Sequence, residues 1–246
     1  MGITALAATL LLPLGPALAF GAALAGDRPT IWDIPLRAAI SDIPAANGFE
    51  ALACGSNGGP PFAKLADWSE FTRCAPEPDQ LREVYFRYRD GTNGGPNDRV
   101  DPAQIGTTEA FFPVITSVLL DEAGQVQGLR LVTDPRPEPN KRAGMLTVRP
   151  RGEHYLLGLY LMERFAMTEA DCRDLEPASG ETAVVGQFVK RDCAKTDLTR
   201  GIRYTISERY LRKRGQTDVD PVSGQLTEGQ YESWTRAEVR AVQRSE

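Results

Sequence analysis

The sequence has a single histidine, His154, and only four cysteines in 246 residues. Serine–histidine catalytic machinery would have to use that one histidine, and the Gly-x-Ser-x-Gly motif of a nucleophile elbow is absent. A zinc cluster needs several histidines and cysteines close together, so we expect no metal site. We assign no catalytic residue, and we expect no cofactor, because the glycine-rich strings lack the lysine of a nucleotide-binding P-loop.

Excess positive charge is also lacking. The chain has 28 Lys and Arg against 33 Asp and Glu, which gives a net charge of −5. A nucleic-acid partner is therefore not expected, because such proteins carry a basic face. No second long apolar run follows the first 25 residues. The apolar stretch Tyr155 to Met167 contains Glu163 and Arg164 and is too short to span a membrane.

Residues 1–25 contain no Lys, Arg, Asp or Glu and have the apolar character of a secretory signal peptide. Ala23-Leu24-Ala25 fits the small-x-small cleavage pattern, and Ala17-Leu18-Ala19 is a competing site. An uncleaved membrane anchor is the alternative, although two prolines fit a spanning helix badly. We expect cleavage and a periplasmic or secreted location, with membrane contact only through the leader if it is retained.

The cysteines form two pairs with nearly equal spacing, Cys54 with Cys74 and Cys172 with Cys193. In an oxidising compartment such thiols become disulfides. The spacing predicts pairing within each half, but four cysteines allow three connectivities and the sequence alone excludes none. A disulfide that closes a loop of this length contributes about 3 kcal/mol in the chain-entropy model.

Hydrophobic periodicity predicts an α+β protein that is mostly antiparallel β-sheet, with one main helix at about 151–168. Leu157, Leu161 and Phe165 recur at helical spacing, and Tyr160 and Met167 widen the apolar stripe. Alternation of apolar and polar residues predicts strands at 83–89, 125–133 and 203–212, and a β-branched apolar run predicts one at 113–120. Further strands are expected at 188–193 and 230–242.

Prolines at 135, 137 and 139 suggest a boundary between two halves. The first half, 26–136, is a disulfide-containing β unit, and the second, 137–246, is a helix plus another such unit. In each half an alternating strand follows the second cysteine, and a turn and a further strand come next. This similarity suggests two related units produced by duplication. Chance similarity is the alternative, and both halves could pack as a single domain.

Three local patterns have both a functional and a structural interpretation. The strings 55–60 and 91–96 are rich in Gly and Asn and could bind an anion through backbone N–H groups, but tight turns explain them better. The acidic stretch 218–228 departs from the calcium-binding EF-hand pattern, so we expect a turn with solvated carboxylates. The basic cluster at Arg209, Arg212, Lys213 and Arg214 could touch anionic lipid or polysaccharide, but a solvated strand end is the favoured interpretation.

These observations favour an exported, disulfide-stabilised binding or accessory protein without enzymatic activity, whose ligand the sequence does not identify. The alternative is a carboxylate-dependent hydrolase that acts on a cell-envelope polymer, which needs two acids facing each other across a cleft. Its candidate acids are Asp67, Glu70, Asp90 and Glu109. A third possibility is a subunit of an envelope complex, with another envelope protein as its partner.

Overall fold

The structure is a computed structural model, and it describes residues 29–43, 48–88, 107–135, 151–215, 217–219, 226–228 and 231–243. The predicted signal peptide, the prolines at 137 and 139, and the second glycine-rich string lie outside the described residues. In the described part, no helix is long and apolar enough to cross a membrane.

Twelve strands are described. They are β1 (Glu50–Cys54), β2 (Arg82–Arg87), β3 (Thr107–Glu109), β4 (Phe112–Leu120), β5 (Val126–Thr133), β6 (Cys172–Asp174), β7 (Glu181–Thr182), β8 (Val189–Asp197), β9 (Ile202–Lys213), β10 (Thr217–Val219), β11 (Leu226–Glu228) and β12 (Glu232–Ala241). One α-helix, α1, spans Leu157–Arg164, and 3-10 helices span Ile31–Asp33, Ile40–Asp42, Trp68–Arg73, Arg151–Leu156 and Glu169–Asp171. The α+β class and the predominance of antiparallel sheet are confirmed.

The principal sheet runs in the order β1-β2-β4-β5-β12-β9-β8-β6, with β3 beside β4 and β7 beside β9. All of its pairs are antiparallel. Each half of the chain contributes four consecutive strands of this path, and the halves meet where β5 pairs with β12. The strands of both halves therefore belong to one continuous sheet.

One face of the sheet, the inner face, carries the hydrophobic core. Val84, Phe86 and Tyr88 of the β2 region point to this face, as an alternating strand predicts, and they belong to the same core cluster as Ala237 and Val239 of β12. The 3-10 helices and α1 cover the same face. Burying a side chain of the size of Val or Phe contributes about 1.5–3 kcal/mol relative to leaving it exposed, so this shared core also holds the two halves together.

The helical segment 151–164 begins as a 3-10 helix and becomes α-helical only at Leu157, and it ends at Arg164 rather than near 168. Ala166 has a left-handed backbone (φ 48°), which stops the helix. Leu157, Leu161, Phe165 and Met167 are buried as predicted. Tyr160 is not part of the buried stripe, because it lies on the outward side of the helix.

Two disulfides are present, with the pairing that the spacing predicts. Cys54, at the end of β1, is joined to Cys74, which follows the 3-10 helix Trp68–Arg73. Cys172 and Cys193 lie directly opposite each other in β6 and β8. The first disulfide closes the loop 54–74 over the edge of the sheet, and the second ties the opposite edge.

Candidate functional site

A pocket of about 610 Å³ lies beside the edge strand β1. Its lining includes Phe49 to Ala53 of the β1 region, the segment 61–67 of the first disulfide loop, and Tyr85 and Arg87 of β2. The segment 61–67 continues the sheet beyond β1, because the amides of Phe62 and Leu65 donate to the carbonyls of Cys54 and Leu52 at 2.8 and 2.9 Å. The first disulfide loop thus forms one wall of the pocket.

The pocket combines apolar and cationic groups. Phe62 lines it and is 74% exposed, the most exposed aromatic side chain in the described part of the chain. Arg87 lies 3.7 Å from Glu50, while Lys64 forms no ion pair with any described residue. An apolar surface beside a free ammonium group suits a ligand that has an apolar body and an anionic group.

A backbone irregularity lies at the same place. The register between β1 and β2 shifts between Glu50 and Ala53, and Ala51 has a positive φ of 57°. A β-bulge of this kind bends an edge strand and redirects its side chains. Left-handed non-glycine residues cost roughly 1–3 kcal/mol and are concentrated at functional sites. The strain favours a binding role for this edge over a purely structural one.

The glycine-rich string 55–60 folds back over the outer face of the sheet, the face opposite the core. The amides of Asn57 and Gly58 donate to the two carboxylate oxygens of Glu83. The backbone nest that the sequence suggested therefore exists, but it holds the protein's own carboxylate. The structural interpretation of this string was the better one, because no free anion site remains there.

Glu83 belongs to a buried ion network centred on Arg130 of β5. Arg130 is 2% exposed and lies 2.6 Å from Glu77, 3.1 Å from Glu83 and 2.7 Å from Glu238. Arg236 donates to the carbonyl and side-chain oxygens of Asn57 at 2.9 and 2.8 Å, which ties the glycine-rich string to β12. The network fixes the base of the first disulfide loop and so positions the pocket wall.

The charges of the network stabilise one another. Burial alone would lower the pKa of Arg130, but its hydrogen bond to Glu77 and the charges of Glu83 and Glu238 raise that pKa above its usual value. Burial alone would raise the pKa of Glu238, but the charges of Arg130 and Arg240, with hydrogen bonds from Arg130 and Arg236, lower it to about 2. These groups stay ionised at neutral pH, which suits a structural role rather than proton transfer.

Two of the four candidate acids of the hydrolase alternative cap local structure. Asp67 begins the 3-10 helix Trp68–Arg73, where its carboxylate accepts from the amide and hydroxyl of Ser69, and these bonds lower the pKa of Asp67. Glu70 accepts from the amide of Ala66 at 2.9 Å and pairs with Arg73 at 2.5 Å. Neither acid faces a second carboxylate in the contacts described.

The other two candidates differ from each other. Asp90 lies outside the described residues. Glu109 is buried near the inner face, where Trp32 Nε1 and the hydroxyl of Tyr88 donate to its two oxygens at 3.1 and 3.2 Å, and Arg164 lies 3.5 Å away. The contacts with Trp32, Tyr88 and Arg164 hold the carboxyl group of Glu109 in place, and no described contact brings it to a second carboxylate.

His154 is buried in the 3-10 helix Arg151–Leu156, and its carbonyl accepts from the hydroxyl of Thr235 at 2.9 Å. Among the described residues, no group of three or more His, Cys, Asp and Glu could hold a metal ion. In the acidic stretch, β10 and β11 pair as antiparallel strands, and the residues between them, where a turn was expected, lie outside the described residues.

The basic cluster lies at the end of β9, where successive side chains point to opposite faces of the sheet. Arg209 lies over the ring of Trp234 and 2.9 Å from Asp192, while Lys213 lies 2.6 Å from Glu232. Both cations are paired on the outer face, and the side chain of Arg209 is only 15% exposed, so of these two only Lys213, at 49%, fits the expected solvated strand end.

The sequence interpretation missed Glu208 of β9, which is buried on the inner face and 3% exposed. Burial is the largest cause that raises the pKa of Glu208, to about 7, with Glu169 and Asp174 adding to the rise and Arg191 and Arg209 opposing it. The predicted strand at 203–212 could have indicated this burial, because alternation places Glu208 on the same face as Tyr204 and Ile206.

Comparisons with protein-family models, with curated proteins and with solved structures found no match for this chain.

Proposed function

We propose that the protein is an exported, non-enzymatic binding or accessory protein that works in the periplasm or after secretion. Two disulfides support this location, because disulfides form and persist in oxidising compartments. The carboxylates around Arg130 are held in ion pairs and so are poorly suited to act as catalytic acids, which supports a binding role over an enzymatic one. The signal-like leader is the sequence feature that agrees with export.

The pocket beside β1 is the proposed binding site. The observation that carries this proposal is the exposed ring of Phe62 next to the unpaired ammonium group of Lys64, at the edge of a cavity of about 610 Å³. A ligand with a flat or flexible apolar body and a carboxylate would bury the ring and pair with Lys64. Cavities of this size hold ligands of small-molecule dimensions.

Ligand-observed NMR on the mature chain, residues 26–246, tests this site. The probes are phenylacetate and octanoate, with phenylethanol and octanol as uncharged counterparts. We expect the two carboxylates to bind more strongly than the alcohols, and Phe62→Ser and Lys64→Gln to weaken their binding at least about tenfold. Val185→Ser, which removes an apolar side chain that is 97% exposed elsewhere, is the control and should leave binding unchanged. Equal binding by all variants would remove the pocket from the proposal.

One observation favours the hydrolase alternative. A carboxyl group with a pKa of about 7, as in Glu208, is suited to general acid catalysis near neutral pH. Turnover of glycan, ester or peptide substrates by the purified mature chain would replace the binding proposal, and loss of that turnover in Glu208→Gln would identify the acid. Co-purification of a second protein from native membranes would instead favour a subunit of an envelope complex.

A further inference from the structure

Glu208 lies in the contact between the sheet and the helical segment 151–164. In the sheet, Arg191 of β8 and Thr235 of β12 are its direct partners in register. Its carboxyl group therefore points to the inner face in the middle of the second half. In the part of the chain that the structure describes, no hydrogen-bond donor reaches this carboxyl group.

The helical segment touches this carboxyl group through Gly158. A Cβ atom built on Gly158 would lie 1.8 Å from Oε1 of Glu208, so only glycine allows this approach. The segment is held to the sheet by contacts on either side. The hydroxyl of Thr235 donates to the carbonyls of His154 and Tyr155, and the ring of Tyr155 stacks on Tyr210 with centroids 4.7 Å apart.

The charged groups around Glu208 do not neutralise it. Arg191 donates to Asp174 at 2.8 Å and to Glu169 at 3.2 Å, so acids from β6 and from the 3-10 helix Glu169–Asp171 share this cation. Arg209 of β9 pairs with Asp192 at 2.9 Å.

The helical segment brings little compensating charge. Residues 157–162 of α1 carry no charged side chain, and Glu163 and Arg164 are exposed at its end. The 3-10 helix before α1 carries the titratable residues Glu153, His154 and Tyr155, and Tyr210 of β9 stacks on Tyr155. Ionised Glu208 would thus place beneath the helix a charge that Arg191 and Arg209 offset only in part.

We propose that Glu208 is a proton-operated latch that holds the helical segment 151–164 against the sheet when it is protonated and loosens the segment when it ionises. The direction of this pH dependence follows from the shift in the pKa of Glu208. The pKa of about 7 in the docked state lies above the value of 4.5 in a solvated carboxyl group. The stabilising effect is therefore complete below pH 4.5 and is lost as the pH rises through 7.

Hydrogen exchange of the full mature chain, residues 26–246, tests the latch at pH 5 and pH 8. At each pH, the amide protection of residues 151–164 in the wild type is divided by the protection of the same residues in Glu208→Gln. This ratio cancels the intrinsic pH dependence of exchange. Relative to this variant, wild-type protection should fall at least about tenfold between pH 5 and pH 8. Glu163→Gln, on the exposed side of α1, should behave as the wild type does. A constant ratio across this range would overturn the proposal.

Two further measurements do not depend on the folding of Glu208→Gln. The side-chain carboxyl carbon of Glu208 in the wild-type chain should titrate near pH 7 by NMR, and a midpoint below pH 5 would refute the latch. Gly158→Ala should lower protection of residues 151–164 at both pH values, because its methyl group forces the helix away from the carboxyl group. If residues 151–164 were protected in Gly158→Ala as strongly as in the wild type, that result would also contradict the contact on which the latch depends.

Discussion

Arg130 is the residue on which the outer face of the first half depends. Its guanidinium group neutralises carboxylates from three separate places in the chain, the loop before β2, β2 itself and β12. Removing one partner of a buried ion pair is costly because the other charges stay buried without compensation. The sequence predicts a strand at 125–133, in which Arg130 alternates with Leu129 and Leu131, but that pattern does not predict the burial of Arg130.

We expect Arg130→Met to lower the free energy of unfolding by about 3–5 kcal/mol at pH 7, because it leaves buried carboxylates uncompensated. Arg73→Met is the control, since Arg73 and Glu70 form an exposed pair and such pairs contribute about 0–1 kcal/mol. Urea denaturation followed by circular dichroism measures both. An equal loss in the two variants would mean that the Arg130 network adds no more than a surface pair.

The lowered pKa of Glu238 predicts that the free energy of unfolding depends on pH in the acidic range. Because its pKa is lowered to about 2 in the folded state, from 4.5, it stabilises the fold above pH 4.5, and this contribution is lost as the pH falls through 2. We expect Glu238→Gln to be less stable than the wild type by about 2–3 kcal/mol at pH 7.

The difference between wild type and Glu238→Gln should shrink as the pH falls from 4.5 toward 2. Urea denaturation of both proteins at several pH values measures it. A difference that stays the same across that range would show that the carboxylate charge is not what stabilises the network.

At the scale of elements, local patterns predicted the long strands but not the short ones, and they predicted the environment of the strands poorly. The long strands β2, β4, β5, β8, β9 and β12 could be located because alternation and apolar runs are local properties, although β8 continues to Asp197. The short strands β1, β3, β6, β7, β10 and β11 were not predicted. The cover over the outer face depends on the glycine-rich string meeting Arg130 and Val132 from far along the chain, which no local pattern encodes. Tyr85, on the outer face, is also buried, in a small cluster with Ala53 and Ile115.

Gly58 allows us to test the cover formed by the glycine-rich string. Its φ is +78°, and a Cβ atom there would lie 2.5 Å from Cγ2 of Val132. Gly186 is a matched control, with a φ of +81° and no atom within 4 Å of the corresponding position. Both substitutions by alanine carry the backbone cost of about 1–2 kcal/mol, but only Gly58→Ala adds a clash that costs about 1–3 kcal/mol more. Thermal denaturation of the two variants gives the difference, and equal melting temperatures would contradict the close packing of this string on β5.

At the scale of the whole molecule, the halves have matching arrangements of strands. In each half a cysteine-bearing strand, β1 or β6, lies at one edge of the sheet, and the last strand of the half, β5 or β12, lies at the centre. This order agrees with the hypothesis of duplicated units, which stays a hypothesis. The positions of the cysteines differ in detail, because Cys74 follows a 3-10 helix whereas Cys172 and Cys193 face each other across two strands.

The contact between the two halves at the centre of the sheet predicts how each half behaves when it is separated from the other. Pairing of β5 with β12 joins residues 128–132 to residues 236–240, and Glu238 from the second half is bound to Arg130 of the first. Each half alone would expose the apolar inner side of its last strand and an unpaired strand edge, which promotes aggregation. We expect residues 26–136 and residues 137–246 to show no cooperative unfolding when each is exported alone to an oxidising compartment. When the two halves are exported together, we expect them to form a complex that unfolds cooperatively. A separate half that gave the dispersed NMR spectrum of a folded domain would show instead that the proline-rich boundary divides two independent domains and that the shared core contributes little to the stability of either.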